Sequence, residues 1–195
     1  YSSDHGDMVG GHGLFLKGIM PFEETYRVPL VIRWPKGIVQ PGRVVDEFVT
    51  WNDIGPTLCE LAGARPMEGA HGRSFAPMLR GEVPEDWPKE VFMQFTSTEY
   101  YYTQRIINGG RFKYVFNGFD FDELYDLQED PGELVNLARD PQYAGEIERL
   151  CELMWKWCER AEDVMECPYP TVALVPRGPE GTGVKFERPR WWKYK

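Results

Sequence analysis

The sequence predicts an α/β chain: a piece of a layered α/β core over residues 1–85, then a smaller antiparallel sheet-and-helix subdomain over 86–165. Three observations carry this. The near-continuous apolar run Val28-Pro29-Leu30-Val31-Ile32-Arg33-Trp34 predicts a strand covered on both faces, in a parallel or mixed sheet. Beyond Pro84-Glu85-Asp86-Trp87-Pro88 the pattern changes to short strand-like stretches divided by turn signals such as Asn108-Gly109-Gly110 and Asn117-Gly118, which favours hairpins. Residues 141–161 then place Ile147, Leu150, Leu153, Met154 and Trp157 three and four apart, the stripe of an amphipathic helix.

Taken in order, the glycines at 6, 10, 11, 13 and 18 make the first twenty residues a loop. The strand Val28–Trp34 ends at Pro35-Lys36-Gly37. A short helix is expected over 53–62, capped by Asn52 or Asp53 and closed by Gly63, and another over Phe75–Leu79. The strand-like stretches are 90–95, 99–107, 111–116 and 123–127. The last segment, 166–195, is rich in proline and ends in Arg190-Trp191-Trp192-Lys193-Tyr194-Lys195. It predicts an extended arm whose aromatics anchor on the body or on a second copy, giving a homo-oligomer contact.

With 42% apolar and 27% charged residues, the 195-residue chain has a globular composition. No apolar run reaches the roughly 18 residues that cross a bilayer, so no membrane partner is expected. A net charge of −9 argues against nucleic acid, whose phosphates demand a basic surface. The opening Tyr1-Ser2-Ser3-Asp4-His5-Gly6 has no initiator Met or signal-like apolar stretch, and the chain is expected to be a fragment. None of Cys59, Cys151, Cys158 and Cys167 forms a C-x-x-C pair, so buried free thiols are expected rather than a thiolate zinc site. The compartment is left open.

The chemistry gathers in Ser3-Asp4-His5-Gly6-Asp7, Gly11-His12-Gly13 and Lys17. Adjacent Asp4 and His5 pair a hard oxygen with an imidazole nitrogen, a donor set for a divalent cation. Lys17, one loop away, places a cation where it can clamp an anionic oxygen. His12 lies in the same loop, either as a catalytic group or as a hydrogen-bonding residue that shapes it. Asp4 and His5 could equally satisfy turn amides. Glu23, Glu24 and Arg27 are expected to pair structurally, with Glu23 near enough to reach the cleft, and His71 is expected on a surface loop.

Three strings go further. The first is Ser3-Asp4-His5-Gly6-Asp7-Met8-Val9-Gly10-Gly11-His12-Gly13, with Lys17-Gly18, Pro21-Phe22-Glu23-Glu24 and Arg27-Val28-Pro29-Leu30. The second is Asp53-Ile54-Gly55-Pro56-Thr57-Leu58, with Leu61-Ala62-Gly63 and Gly72-Arg73-Ser74. The third is Arg111-Phe112-Lys113-Tyr114, Glu123-Leu124-Tyr125-Asp126-Leu127, Asp130-Pro131-Gly132-Glu133 and Asn136-Leu137-Ala138. In order and spacing over residues 1–160 they resemble the sulfatase family of the alkaline-phosphatase-like superfamily.

That resemblance implies a metal-dependent sulfuric ester hydrolase. It implies that Asp4 and His5 bind one divalent cation, calcium in most members. The nitrogen of His5 leaves manganese or another softer ion open. Lys17 corresponds to the lysine that contacts the transferred sulfate and stabilises the leaving oxygen. The family nucleophile is a formylglycine made from Cys or Ser in Cys/Ser-x-Pro-x-Arg, and this motif does not occur here. The resemblance therefore implies the C-terminal part of such an enzyme, inactive alone, with a sulfate ester as substrate of the whole. The alternatives are a phosphonate monoester hydrolase or phosphodiesterase of the same superfamily, and a non-catalytic fragment.

Overall fold

The structure is a computed structural model that describes residues 1–96, 103–117 and 120–163. The expected arm, 166–195, and Cys167 lie outside the described residues. The helices are α1 (Glu23–Tyr26), α2 (Trp51–Leu61), α3 (Ala76–Leu79) and α4 (Ala144–Arg160). The strands are β1 (Val91–Thr96), β2 (Thr103–Asn108), β3 (Phe112–Asn117) and β4 (Glu123–Asp126). No helix among the described residues is long and apolar enough to cross a membrane.

The chain divides into two compact units, one of Tyr1–Ser3 with Pro29–Val91, the other of Asp4–Val28 with the chain from Phe92 onward. The second boundary falls close to the composition change at Pro84–Pro88. Residues 4–28 belong to the second unit.

In the first unit Phe75, Met78, Leu79 and Trp87 form the core, with Ile38, Val49, Ile54 and Leu61 packed on it. Helix α2 begins earlier than expected, after Thr50. Asp53 stands one turn inside and reaches back: its Oδ2 accepts from the Thr50 amide at 2.7 Å and the Thr50 hydroxyl at 2.9 Å. That offsets the donors an N-terminus leaves unpaired. Its Oδ1 accepts from the Arg73 amide at 2.7 Å. Pro56 removes the donor for the Asn52 carbonyl, and Gly72 approaches so closely that a Cβ there would lie 2.0 Å from that oxygen.

The expected buried strand is not one. Residues 31–34 are exposed, and this segment makes only an antiparallel bridge between Leu30 and Ser2. Tyr1 adds two bonds, its ammonium to the Val31 carbonyl at 2.7 Å and its carbonyl to the Val31 amide at 2.8 Å. A strand apolar on both faces needs layers on both sides. The described first unit contains no such layers, so Leu30, Val31, Ile32 and Trp34 stay in contact with solvent.

The second unit is a sheet in the order β1-β2-β3-β4, with β2–β3 and β3–β4 antiparallel. Alternation along the strands sends side chains to opposite faces. Tyr114, Phe116 and Leu124 pack on one face against Ile147, Leu150, Met154 and Trp155 of α4. Phe116 and Trp155 meet edge-to-face at 5.0 Å. On the other face Tyr125 packs with Met8 and Phe22, residues of the 4–28 segment. The sheet is thus covered on both sides, by α4 and by the segment that carries Asp4, His5 and Lys17. Cys151 and Cys158 are buried free thiols, and burial pushes the Cys158 thiol far up.

Candidate functional site

The site is built by a loop held at both ends. At its start Gly6 donates its amide to the Thr25 carbonyl at 2.9 Å. The backbones are so close that a Cβ at position 6 would lie 1.8 Å from the Glu24 carbonyl oxygen, which explains the glycine after Asp4-His5. Val9 N–H bonds Phe15 C=O at 3.1 Å and Gly10 N–H bonds Leu14 C=O at 2.7 Å, folding the loop back on itself. A single 3₁₀ turn over Gly11–Gly13 makes the bend, with Gly10 at φ 103° and His12 at φ 52°. The returning strand of the loop is pinned where the Asp7 carboxylate accepts from the Lys17 amide at 3.0 Å.

This geometry brings three of the four expected site residues together. The Lys17 ammonium donates to His5 Nε2 at 2.7 Å. His5 Nε2 lies 3.6 Å from an Asp4 oxygen. The other ring nitrogen, Nδ1, lies 2.9 Å from the Gly6 carbonyl. A carbonyl only accepts, so Nδ1 carries the proton and Nε2 presents its lone pair. The local backbone therefore sets the tautomer that a metal ligand needs. Hydrogen bonds from its own and the His5 amides, with the nearby imidazole, hold the Asp4 carboxyl below the usual aspartate range. Asp4 is thus a charged oxygen donor beside a neutral nitrogen donor. Among the described residues no group of three or more His, Cys, Asp or Glu side chains could hold a metal. The pair fits one side of a coordination shell, not all of it.

His12 is placed differently. Its ring stacks on Phe22, centroids 3.6 Å apart and planes 5° from parallel. Its Nε2 is buried without a hydrogen-bond partner among the described residues. It shapes the loop by stacking rather than by the hydrogen bonding expected from sequence. His71 is exposed, as expected of a surface loop.

The sequence reading gave no site role to the anchor beneath the loop. Lys113 is fully buried and donates to the Pro21 carbonyl at 2.7 Å and to Glu23 Oε1 at 3.2 Å. It also forms an ion pair with buried Glu133, whose other oxygen accepts from the Glu23 amide at 2.6 Å. The expected pairing of Glu23 is with Lys113, not with Arg27. Both residues stood in the quoted strings Arg111-Phe112-Lys113-Tyr114 and Asp130-Pro131-Gly132-Glu133. Only the fold shows that these strings meet the loop.

Antiparallel sheet, packed helix and the loop that carries Asp4, His5 and Lys17 make up the C-terminal part of an alkaline-phosphatase-like fold. Residues 10–160 match the model of the N-sulphoglucosamine sulphohydrolase C-terminal domain, and the chain belongs to the sulfatase family. A delta 4,5-hexuronate-2-O-sulfatase of Bacteroides thetaiotaomicron is 38% identical over 170 residues, 83% of this chain and 34% of the relative. A protein solved in complex with its substrate D-glucosamine-2-N,6-O-disulfate is 29% identical, with a TM-score of 0.78 over 85% of this chain and 34% of that one. The phosphonate monoester hydrolase of Agrobacterium radiobacter is 34% identical, with a TM-score of 0.74 over 84% and 34%. The chain spans about a third of the length of these proteins.

Proposed function

We propose that this chain contributes Asp4, His5 and Lys17 to the active centre of a sulfuric ester hydrolase. The observation that carries this is their convergence: the Lys17 ammonium and the Asp4 carboxylate both lie within 3.6 Å of His5 Nε2. Asp4 and His5 are the residues here that would hold a divalent cation, calcium or, given the nitrogen, manganese. Such a cation supplies Lewis-acid polarisation of the sulfate oxygens. The formylglycine nucleophile is assigned to the part of the sulfatase that this chain does not span, and the chain alone is inactive.

The remaining steps belong to this chain's own groups. Gly6 holds the His5 ring by its Nδ1 proton and keeps the Nε2 lone pair aimed at the site. That lone pair serves one partner at a time. Lys17, which donates to that nitrogen, would supply its ammonium protons to the sulfate and to charge developing on the departing alkoxide, while Asp4 and His5 would hold the cation. The acidic charge of the whole chain does not oppose an anionic substrate, because this local ammonium dominates at short range. The relative solved with a sulfated sugar supports a sulfated saccharide as the substrate class. His12 is proposed to act on loop shape rather than on substrate.

The test joins this chain to the remaining part of a sulfatase and measures sulfate-ester turnover and bound metal together. Asp4→Ala is expected to lose both. Lys17→Ala is expected to keep metal and lose about a hundredfold or more in kcat, the scale for one oxyanion donor. Retained metal in Asp4→Ala, or unchanged kcat in Lys17→Ala, would sink the assignment. A phosphonate monoester run alongside shows whether sulfate is the preferred ester.

A further inference from the structure

Resting on that reading, we infer that the buried pair Lys113–Glu133, with Glu23, is the positioning device of the catalytic loop. Glu23 joins it through both side chain and backbone.

Lys113 sits on β3 between Phe112 and Tyr114, with no solvent exposure. A lysine is almost never fully buried unless it is paired, because desolvating an ammonium is costly. Here all three of its contacts concern the loop or its anchor: the Pro21 carbonyl, the Glu23 carboxylate and the Glu133 carboxylate. Glu133 is equally buried, and its backbone takes the left-handed conformation at φ 52°. Side chains rarely adopt that conformation, and it marks sites held by their surroundings. Burial pushes the Glu133 carboxyl up, against the pull of Lys113. Its Oε2 is spent on the Glu23 amide, the first residue of α1. The network therefore grips the stretch Pro21-Phe22-Glu23 at its two ends, Pro21 and Glu23, from beneath.

The middle of these, Phe22, is what the loop leans on. His12 stacks on its ring at 3.6 Å, and Tyr125 meets it edge-on at 5.9 Å. Within α1, Thr25 carries the carbonyl that receives the Gly6 amide. The path from Lys113 to the reacting groups is thus Pro21–Glu23, then the His12 stack on one side and the Gly6 bond on the other, then His5 and Lys17. A cluster serving general cohesion would be expected to tie β3 to the sheet or to α4. Among the described residues, the side chains of this one bond to the loop's base and to the turn that carries Glu133.

The experiment uses the whole chain and two readouts that need no turnover. Stacking on Phe22 shifts the His12 ring protons in the NMR spectrum, and His71, in the other unit, serves as control. Hydrogen exchange reports the amides of residues 5–17 separately from those of β2–β4 and α4. Lys113→Met and Glu133→Gln keep volume and break the network. The expected result is collapse of the His12 shift and about tenfold faster exchange in 5–17, with β2–β4 and α4 little changed. An unchanged His12 shift, or acceleration shared equally with β2–β4 and α4, would overturn the inference. If the buried variants do not fold, Glu23→Gln leaves the Lys113–Glu133 pair intact. It should move both readouts in the same direction by less, and no movement counts against the inference. A chain that passes this test but, joined to the remaining part of a sulfatase, supports no ester hydrolysis refutes the proposed function alone.

Discussion

At His5 the Nε2 lone pair accepts from Lys17, and the proposed function would give it a second claimant, a cation, which makes the residue scale testable. Asp7 is the quiet member of the group: its carboxylate holds the Lys17 backbone amide, while the ammonium reaches His5 Nε2. Asp7→Ala should lower kcat about tenfold, as a misplaced lysine does, while leaving bound metal unchanged. Steady-state kinetics with metal analysis checks it, and loss of metal would contradict it. Asp126 gives a second residue-scale prediction, on stability. The Arg111 guanidinium donates to it, amides of Gln128 and Glu129 add to this, and together they hold its carboxyl below the ordinary 3.8. A depressed acid favours the folded state above its unfolded value and loses that contribution as pH falls through its folded value. Asp126→Asn should therefore cost about 1–2 kcal/mol at pH 7, a modest figure because Arg111 is half exposed. The gap should close as pH falls below 3.8, measured by urea unfolding across pH.

At the element scale α4 is the clearest case of a pattern read correctly. Its stripe predicted a core face, and Ile147, Leu150 and Met154 are fully buried against the sheet. Trp155 was not in the stripe, yet it too is fully buried and meets Phe116. Leu150→Ala should lower stability by about 2–5 kcal/mol, and Leu153→Ala, only partly buried, by clearly less. Equal losses in thermal melts would show that the fully and the partly buried positions of the stripe are not distinguished. The strand at 28–34 is the opposite case. Its composition predicted burial, but burial depends on which layers surround it, and periodicity carries no information about them. Helix α2 shows a smaller miss: Asp53 looked like a cap and instead stands one turn inside, bonding back to Thr50.

At the scale of the whole molecule the two units differ in how completely they are closed. The second has both faces of its sheet covered. The first leaves Leu30, Val31, Ile32, Trp51 and Leu58 in an open apolar groove, a kind of surface that folded proteins seldom leave bare. The chain as it stands should bind a hydrophobic dye such as ANS, and Val31→Lys with Leu58→Lys should remove most of that fluorescence without changing the helix content of α4. Undiminished fluorescence in the double variant would place the dye elsewhere.

The sequence by itself determined the family and placed the proposed site residues close together along the chain. Asp4, His5 and Lys17 lie within fourteen residues, and a glycine-rich loop can bring such neighbours together whatever packs beneath it. It also determined the hairpin order and the face of α4, because local spacing sets which way side chains point. Only the tertiary structure decided that residues 4–28 fold onto the C-terminal sheet, that His12 stacks instead of hydrogen-bonding, and that Lys113 and Glu133 grip the loop. Those pairings span 90 residues and more. A lysine in a strand looks, in sequence, like a residue facing water. What makes it an anchor is the carboxylate that meets it in the interior, and the chain must fold before that partner exists.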